Sequence, residues 1–92
     1  MAFADTFRAL SDPTRREILN LLKTGPMYAG EIAGCFQMTG ATVSHHLGIL
    51  KQSGLVDEEK KGKYIQYSLN TSVIDDIIRW MMDLKEKQEE TE

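Results

Sequence analysis

Ninety-two residues, 41% of them hydrophobic and 27% charged, match the size and make-up of one globular domain. The chain has no apolar run of roughly 18 residues to cross a membrane, its first residues Met1–Asp5 lack the basic start and apolar block of an export signal, and a lone Cys35 excludes an internal disulfide framework. A cytoplasmic protein without membrane insertion is expected. The net charge of −3 is unevenly spread: residues 1–74 carry eight Lys/Arg against seven Asp/Glu, and residues 75–92 three against seven. The acidity therefore lies in the tail and does not exclude a nucleic-acid partner.

In chain order, Phe3, Phe7 and Leu10 recur at helical spacing and predict an amphipathic helix over about 2–10. Asp12-Pro13 reads as an N-cap followed by proline at the first helical position. The helix it opens buries Ile18, Leu19, Leu21 and Leu22 and ends at Gly25-Pro26. A short helix from about Ala29 to Phe36 follows, carrying Ile32, Ala33 and Phe36. Thr39 caps a fourth helix running to about Ser53 and closed by Gly54. Two helices joined by a tight turn over about 29–53 predict a helix-turn-helix.

After Gly54 the period changes from 3.6 to 2. Leu55-Val56 begin one strand, Lys61-Gly62 is a turn dipeptide, and Tyr64–Leu69 alternates, with Ile65, Tyr67 and Leu69 on one face. The hairpin spans about 55–69. Asn70 caps a last helix over about 71–88, in which Val73, Ile77, Met81 and Leu84, flanked by Ile74, Ile78 and Trp80, form a wide apolar stripe. The charged end from Lys85 to Glu92 reads as a frayed or disordered terminus. The expected fold is mainly α with a small β-hairpin (α+β), in the order ααααββα, as one domain over 1–92.

Ser11-Asp12-Pro13-Thr14-Arg15-Arg16, Thr42-Val43-Ser44-His45-His46-Leu47 and Ser53-Gly54-Leu55-Val56, followed by Lys61-Gly62-Lys63-Tyr64 and Tyr67-Ser68-Leu69, resemble ArsR-type winged helix-turn-helix repressors. Within that family, Ala29-Gly30-Glu31-Ile32-Ala33 and Trp80-Met81 look most like the SdpR autorepressor subgroup. The resemblance spans nearly the whole chain. It implies a homodimer that binds double-stranded operator DNA at an inverted repeat, blocks transcription and is released by an inducer. In many members the inducer is a metal ion; in the SdpR subgroup it is sequestration by a membrane protein.

Stepping about 100° per residue from Val43, Leu47 falls near 40° and Leu50 near −20°, which defines the buried side of the fourth helix. Ala41, Gln52 and His45 fall near 160°, 180° and 200°, with Thr42 and Gly48 beside them. Small residues admit a helix closely to the major groove. Ala41, Thr42, Ser44 and His45 are therefore the candidate groove residues, and Thr39-Gly40 presents helix N–H groups to a phosphate. The resembled family often has Gln where Gly40 stands, so the operator sequence stays open. Lys60-Lys61-Gly62-Lys63 at the hairpin tip suits phosphate contact, provided Asp57-Glu58-Glu59 aim elsewhere. Arg15 and Arg16 sit near a helix N-terminus, where the macrodipole disfavours cations, and so are expected to have acidic partners, either protein or phosphate. His46 is expected to be structural, bonded to nearby backbone.

A chain this short buries only about 60–65% of its unfolded surface, so a dimer interface is expected from Phe3, Phe7, Val73, Ile74, Ile77, Ile78, Met81 and Leu84. No metal or cofactor is expected. The positions aligned with the third-helix cysteines of metal-sensing relatives hold Tyr28 and Gly30, and the last helix has Asp75, Asp76 and Asp83 without histidine. Cys35 reads as a small core residue. An enzyme is excluded by the lack of any nucleophile–base set or phosphate loop. A metal-sensing repressor and a pure protein-interaction module remain the alternatives, separated by zinc binding and by salt-dependent DNA binding respectively.

Overall fold

The computed structural model describes the backbone of residues 3–90 and the side chains of residues 3–86. Residue 2, at the start of the first expected helix, lies outside the described residues, as do 91–92 and the side chains of 87–90 in the charged end. The elements are α1 (Ala4–Leu10), α2 (Pro13–Leu22), β1 (Met27–Tyr28), α3 (Ala29–Ala33), α4 (Gly40–Gln52), β2 (Val56–Lys61), β3 (Tyr64–Leu69) and α5 (Ser72–Glu90). The expected order holds with one addition. Met27-Tyr28 joins the hairpin as a third antiparallel strand, giving the sheet order β1-β3-β2. It pairs Met27 with Tyr67 and Tyr28 with Gln66. Two residues are too few to show a periodicity, and only β3's free edge makes them a strand.

Local punctuation places each helix. The Asp12 carboxylate accepts a hydrogen bond from the Arg15 N–H at 3.0 Å, with Pro13 at the first helical position of α2. The Thr39 hydroxyl likewise accepts from the Thr42 N–H at 3.1 Å. Helix α4 ends in a Schellman motif. The Leu55 N–H reaches the Leu50 carbonyl at 3.1 Å and the Gly54 N–H that of Lys51 at 3.1 Å, with Gly54 at φ +82°. Helix α3 is shorter than expected. Beyond Ala33 the chain tightens, Cys35 N–H bonding to Ile32 and Phe36 N–H to Ala33, so the turn before Thr39 begins earlier. Asn70 stands outside the α5 cap position. Its side-chain oxygen accepts from the Ser72 N–H at 2.9 Å while its amide donates to Asp57 at 3.2 Å, which ties the start of α5 to the hairpin.

Ala9, Ile18, Leu22, Ile32, Val43, Leu47, Leu50, Leu55, Val56 and Tyr67 form one core. Every helix except α5 gives it at least one fully enclosed side chain; α5 adds Val73 and Ile74 at its margin. The first turns of α5 pack on the core, and beyond them Trp80 meets the N-terminal aromatics. Ile77 is buried, whereas Ile78, Met81, Met82 and Leu84 are each half exposed, and the molecule measures 55 × 24 × 23 Å. Against the middle of α5 stands an aromatic cluster. The Phe3 and Trp80 ring centroids are 5.9 Å apart, Phe7 and Trp80 6.5 Å, and Phe3 and Phe7 6.1 Å.

The Asp12 carboxyl is held below its ordinary value of 3.8, chiefly by the Arg15 N–H and further by the Arg15 charge. A group whose native pKa is depressed stabilises the fold above its ordinary value and loses that contribution as the pH falls through the native one. Asparagine caps helices comparably but does not titrate. Asp12→Asn is therefore expected to melt at a lower temperature than the parent at neutral pH. That gap should close as the pH drops below the ordinary carboxylate value; a gap independent of pH in thermal melts would contradict this account.

Candidate nucleic-acid interface

Helix α4 divides as its periodicity requires. Val43, Leu47 and Leu50 are at most 1% exposed, while Ala41, Thr42, Ser44, His45, Gly48 and Gln52 all face outward. The exposed face contains no acidic residue. Thr39 and Gly40 are exposed at the N-terminus of the helix. The Thr39 and Thr42 hydroxyl oxygens lie 2.9 Å apart, so the cap also fixes the rotamer of the first candidate groove residue.

The hairpin projects from the core. Val56 is buried and everything from Asp57 to Ile65 is exposed. Lys61 pairs with Tyr64 across the two-residue turn Gly62-Lys63, and Gly62 has φ +64°, the sign a glycine-first hairpin turn needs. Lys60, Lys61 and Lys63 surround this tip. The acidic residues of β2 are answered locally. Glu58 forms an ion pair with Lys51 of α4, and that hydrogen bond holds its carboxyl below the ordinary range. Asp57 accepts from Asn70, and Glu59 lies 3.5 Å from Lys61. Burial raises the phenol of Tyr67, with the Glu58 charge opposite it adding to the shift. The requirement that these carboxylates be turned from the lysine tip is thus met by specific partners for Asp57 and Glu58, while Glu59 shares the tip with Lys61.

Sequence reasoning missed what orients α4. The Arg15 side chain, 9% exposed, donates from Nε to the Ala9 carbonyl at 2.8 Å and from one terminal nitrogen to the Arg8 carbonyl at 3.1 Å. Its other terminal nitrogen lies 3.2 Å from His46 Nδ1. His46 Nδ1 also lies 4.0 Å from the Asp12 carboxylate. Arg16 donates to the Leu10 carbonyl at 2.7 Å. Of the two kinds of acidic partner expected, protein carboxylates are replaced among the described residues by main-chain carbonyls. The two cations satisfy the open carbonyls at the C-terminus of α1, where the helix dipole favours positive charge. His46 is structural as expected, but its partner is the Arg15 guanidinium and not backbone. A second tie joins the same helices, the Thr6 hydroxyl donating to the Ser53 carbonyl at 3.0 Å. The signal in the sequence was a pair of cations in a first helical turn, which demanded a partner without naming it.

Two further expectations change. Cys35 is exposed, its Sγ donating to the Glu31 carbonyl at 3.4 Å, because the chain leaves α3 before Cys35 reaches the core side. Of the apolar stripe on α5, Val73, Ile74 and Ile77 pack on their own domain, and the exposed part is Ile78, Trp80, Met81, Met82 and Leu84. Phe7 is 39% exposed beside it. Among the described residues no three His, Cys, Asp or Glu side chains converge as a metal site would need.

Because one guanidinium serves three acceptors in a fork, Arg15→Ala strands two carbonyls and a ring nitrogen and is expected to lower stability by about 3 kcal/mol. Arg15→Lys should recover little, since a single ammonium cannot span that fork. Urea unfolding followed by Trp80 fluorescence at fixed protein concentration measures both; full recovery by lysine would contradict the fork geometry.

A family model described as bacterial regulatory protein, arsR family, matches residues 12–58, from the α2 cap into β2. The transcriptional repressor SdpR of Bacillus subtilis is 51% identical over 83 residues, covering 90% of this chain and 92% of that protein. An arsenical resistance operon repressor of Staphylococcus aureus is 40% identical, covering 78% of this chain and 69% of that one. Among solved structures, an ArsR-like transcriptional regulator from Rhodococcus sp. RHA1 superposes with a TM-score of 0.89 at 28% identity, covering 97% of this chain and 82% of the other. With the helix-turn-helix, the lysine-tipped wing and these relatives in agreement, the chain belongs to the ArsR family of bacterial regulatory proteins and is a DNA-binding transcriptional regulator, not an enzyme.

Proposed function

We propose that this protein represses transcription as a symmetric homodimer on an inverted-repeat operator, reading bases with α4 and holding the backbone with its wing. The observation that carries this reading is the outward face of α4, small and free of carboxylates, beside a hairpin tip whose three lysines are exposed. Thr42, Ser44 and His45, with the Ala41 methyl, reach base edges, whose donor and acceptor patterns differ between base pairs. Thr39 and Gly40 offer helix N–H groups to a phosphate. Lys60, Lys61 and Lys63 meet phosphates, which are alike at every step, with Gly62 allowing close approach. Repression follows the 51% identity to a transcriptional repressor along nearly all of both chains.

Dimerisation uses Phe3, Phe7 and the exposed stripe of α5, Ile78, Trp80, Met81, Met82 and Leu84, an apolar surface larger than a small monomer ordinarily leaves in water. Release is by a protein partner and not by a metal, the mode of the subgroup this chain resembles, and the protein acts in the cytoplasm. No helix among the described residues is long and apolar enough to cross a membrane, so a membrane-bound partner would have to draw the regulator to itself.

Titration against the operator and a random duplex at several salt concentrations tests the division of roles. Thr42→Ala or His45→Ala is expected to cost about 1–3 kcal/mol on the operator and little on random DNA. Lys61→Ala should weaken both equally and reduce the salt slope by about one. Added zinc or a chelator should move none of these curves. Loss of affinity shared equally by both DNAs in the α4 variants, or zinc-dependent binding, would overturn the assignment. In sedimentation equilibrium the parent is expected to be a dimer at micromolar concentration and Met81→Glu a folded monomer; a monomeric parent would remove the proposed interface.

A further inference from the structure

Between α1 and α4 lies a cleft of about 300 Å³ lined by Asp5, Arg8, Arg15, His45, Ile49 and Gln52. Its charge is unbalanced. Two guanidinium groups face one carboxylate, and that carboxylate, Asp5, is 3.3 Å from Arg8 in an exposed pair. Arg15 is nine-tenths buried and among the described residues makes no ion pair within 4.0 Å. Its partners are two carbonyls and the His46 ring nitrogen, which face three of the five donors of a guanidinium. Asp12, at the α2 cap, interacts with its charge but does not line the cleft. A cation held this way keeps an outward positive field, because dipoles solvate a charge without cancelling it. Cationic ligands are disfavoured here and neutral ones gain nothing from the field; an anion gains from both guanidiniums.

The position of the cleft selects the anion. His45 and Gln52 belong to the same outward face of α4 as Ala41 and Thr42, one and three turns further along the helix. A duplex seated on that face runs its sugar–phosphate backbone past the helix flank, where α1 supplies Arg8, 77% exposed and long enough to swing from Asp5. We propose that this cleft is a phosphate site that receives one backbone phosphodiester of the operator in each half-site. Arg8 makes the direct contact, Gln52 offers a further donor, and the buried Arg15 charge fixes the field. The site extends the DNA footprint to α1, outside the helix-turn-helix and the wing, and it rests on the DNA-binding reading above. Asp5 acts as the counter-ion that the phosphate displaces, so it tunes affinity downward.

The test uses the full chain and a set of operator duplexes, each with one backbone phosphate replaced by an uncharged methylphosphonate. The parent should lose affinity at one particular backbone position per half-site, and Arg8→Ala should be indifferent to that substitution while remaining sensitive elsewhere. On unmodified DNA, Arg8→Ala should bind roughly threefold to tenfold more weakly to operator and random duplexes alike, with a salt slope lower by about one. Asp5→Asn should bind both more tightly. Unchanged affinity and slope in Arg8→Ala, or equal sensitivity of parent and variant at every phosphate, would overturn the site. So would inorganic phosphate shifting the His45 ring resonances without weakening DNA binding, which would assign the cleft to the free anion. A parent that binds no duplex at all overturns the DNA-binding reading itself, whereas failure confined to the Arg8 comparison removes this cleft alone.

Discussion

The guanidinium of Arg15 stands where three helices meet. It closes the C-terminus of α1 through the Arg8 and Ala9 carbonyls, grows out of the first turn of α2, and reaches His46 on α4. A buried charge is tolerated only when its hydrogen bonds are satisfied and well aimed, so the three helices are held to one mutual arrangement. The N-terminal dipole of α2, unfavourable to a cation, is offset by the C-terminal dipole of α1, which favours one. Around this junction most of the remaining contacts are apolar and less directional. Without it the packing of Ile18, Val43 and Leu47 would set distance but not angle.

That angle matters because α4 serves two surfaces at once. Its inner side completes the core, and its outer side is exposed and free of carboxylates. The Thr6–Ser53 bond pins its far end to α1 as Arg15–His46 pins its middle. The aromatic cluster of Phe3, Phe7 and Trp80 connects α1 in turn to α5. Helix α4 is therefore linked through α1 to α5 by short polar bonds and ring contacts.

The electrostatic layout follows the same economy. The acidic stretch Asp57-Glu58-Glu59 precedes a lysine tip by one residue, yet two of its three carboxylates are engaged by Lys51 and Asn70 at the base of the hairpin. Strand alternation turns successive side chains to opposite faces, so neighbouring charges of opposite sign serve different partners. The net negative charge of the chain is concentrated in residues 75–92, outside the stretches that form α4 and the wing.

Period and punctuation in the chain determined the elements, because these are local. Asp12-Pro13, Thr39, Gly54 and Gly62 act through hydrogen bonds and dihedral angles within a few residues, and the Val43, Leu47 and Leu50 spacing needs only helical geometry. The motifs carrying the family resemblance occupy those same positions, which is why the winged helix-turn-helix and its exposed α4 face were legible. Four things were decided only by the folded structure: the strand at Met27-Tyr28, the exposure of Cys35, the division of the α5 stripe between core and surface, and the partners of Arg15 and His46. Each depends on residues far apart in sequence. A two-residue strand exists only because β3 offers an edge, an apolar stripe is core only as far as the domain reaches, and an arginine 31 positions from its histidine meets it only once α1, α2 and α4 have packed.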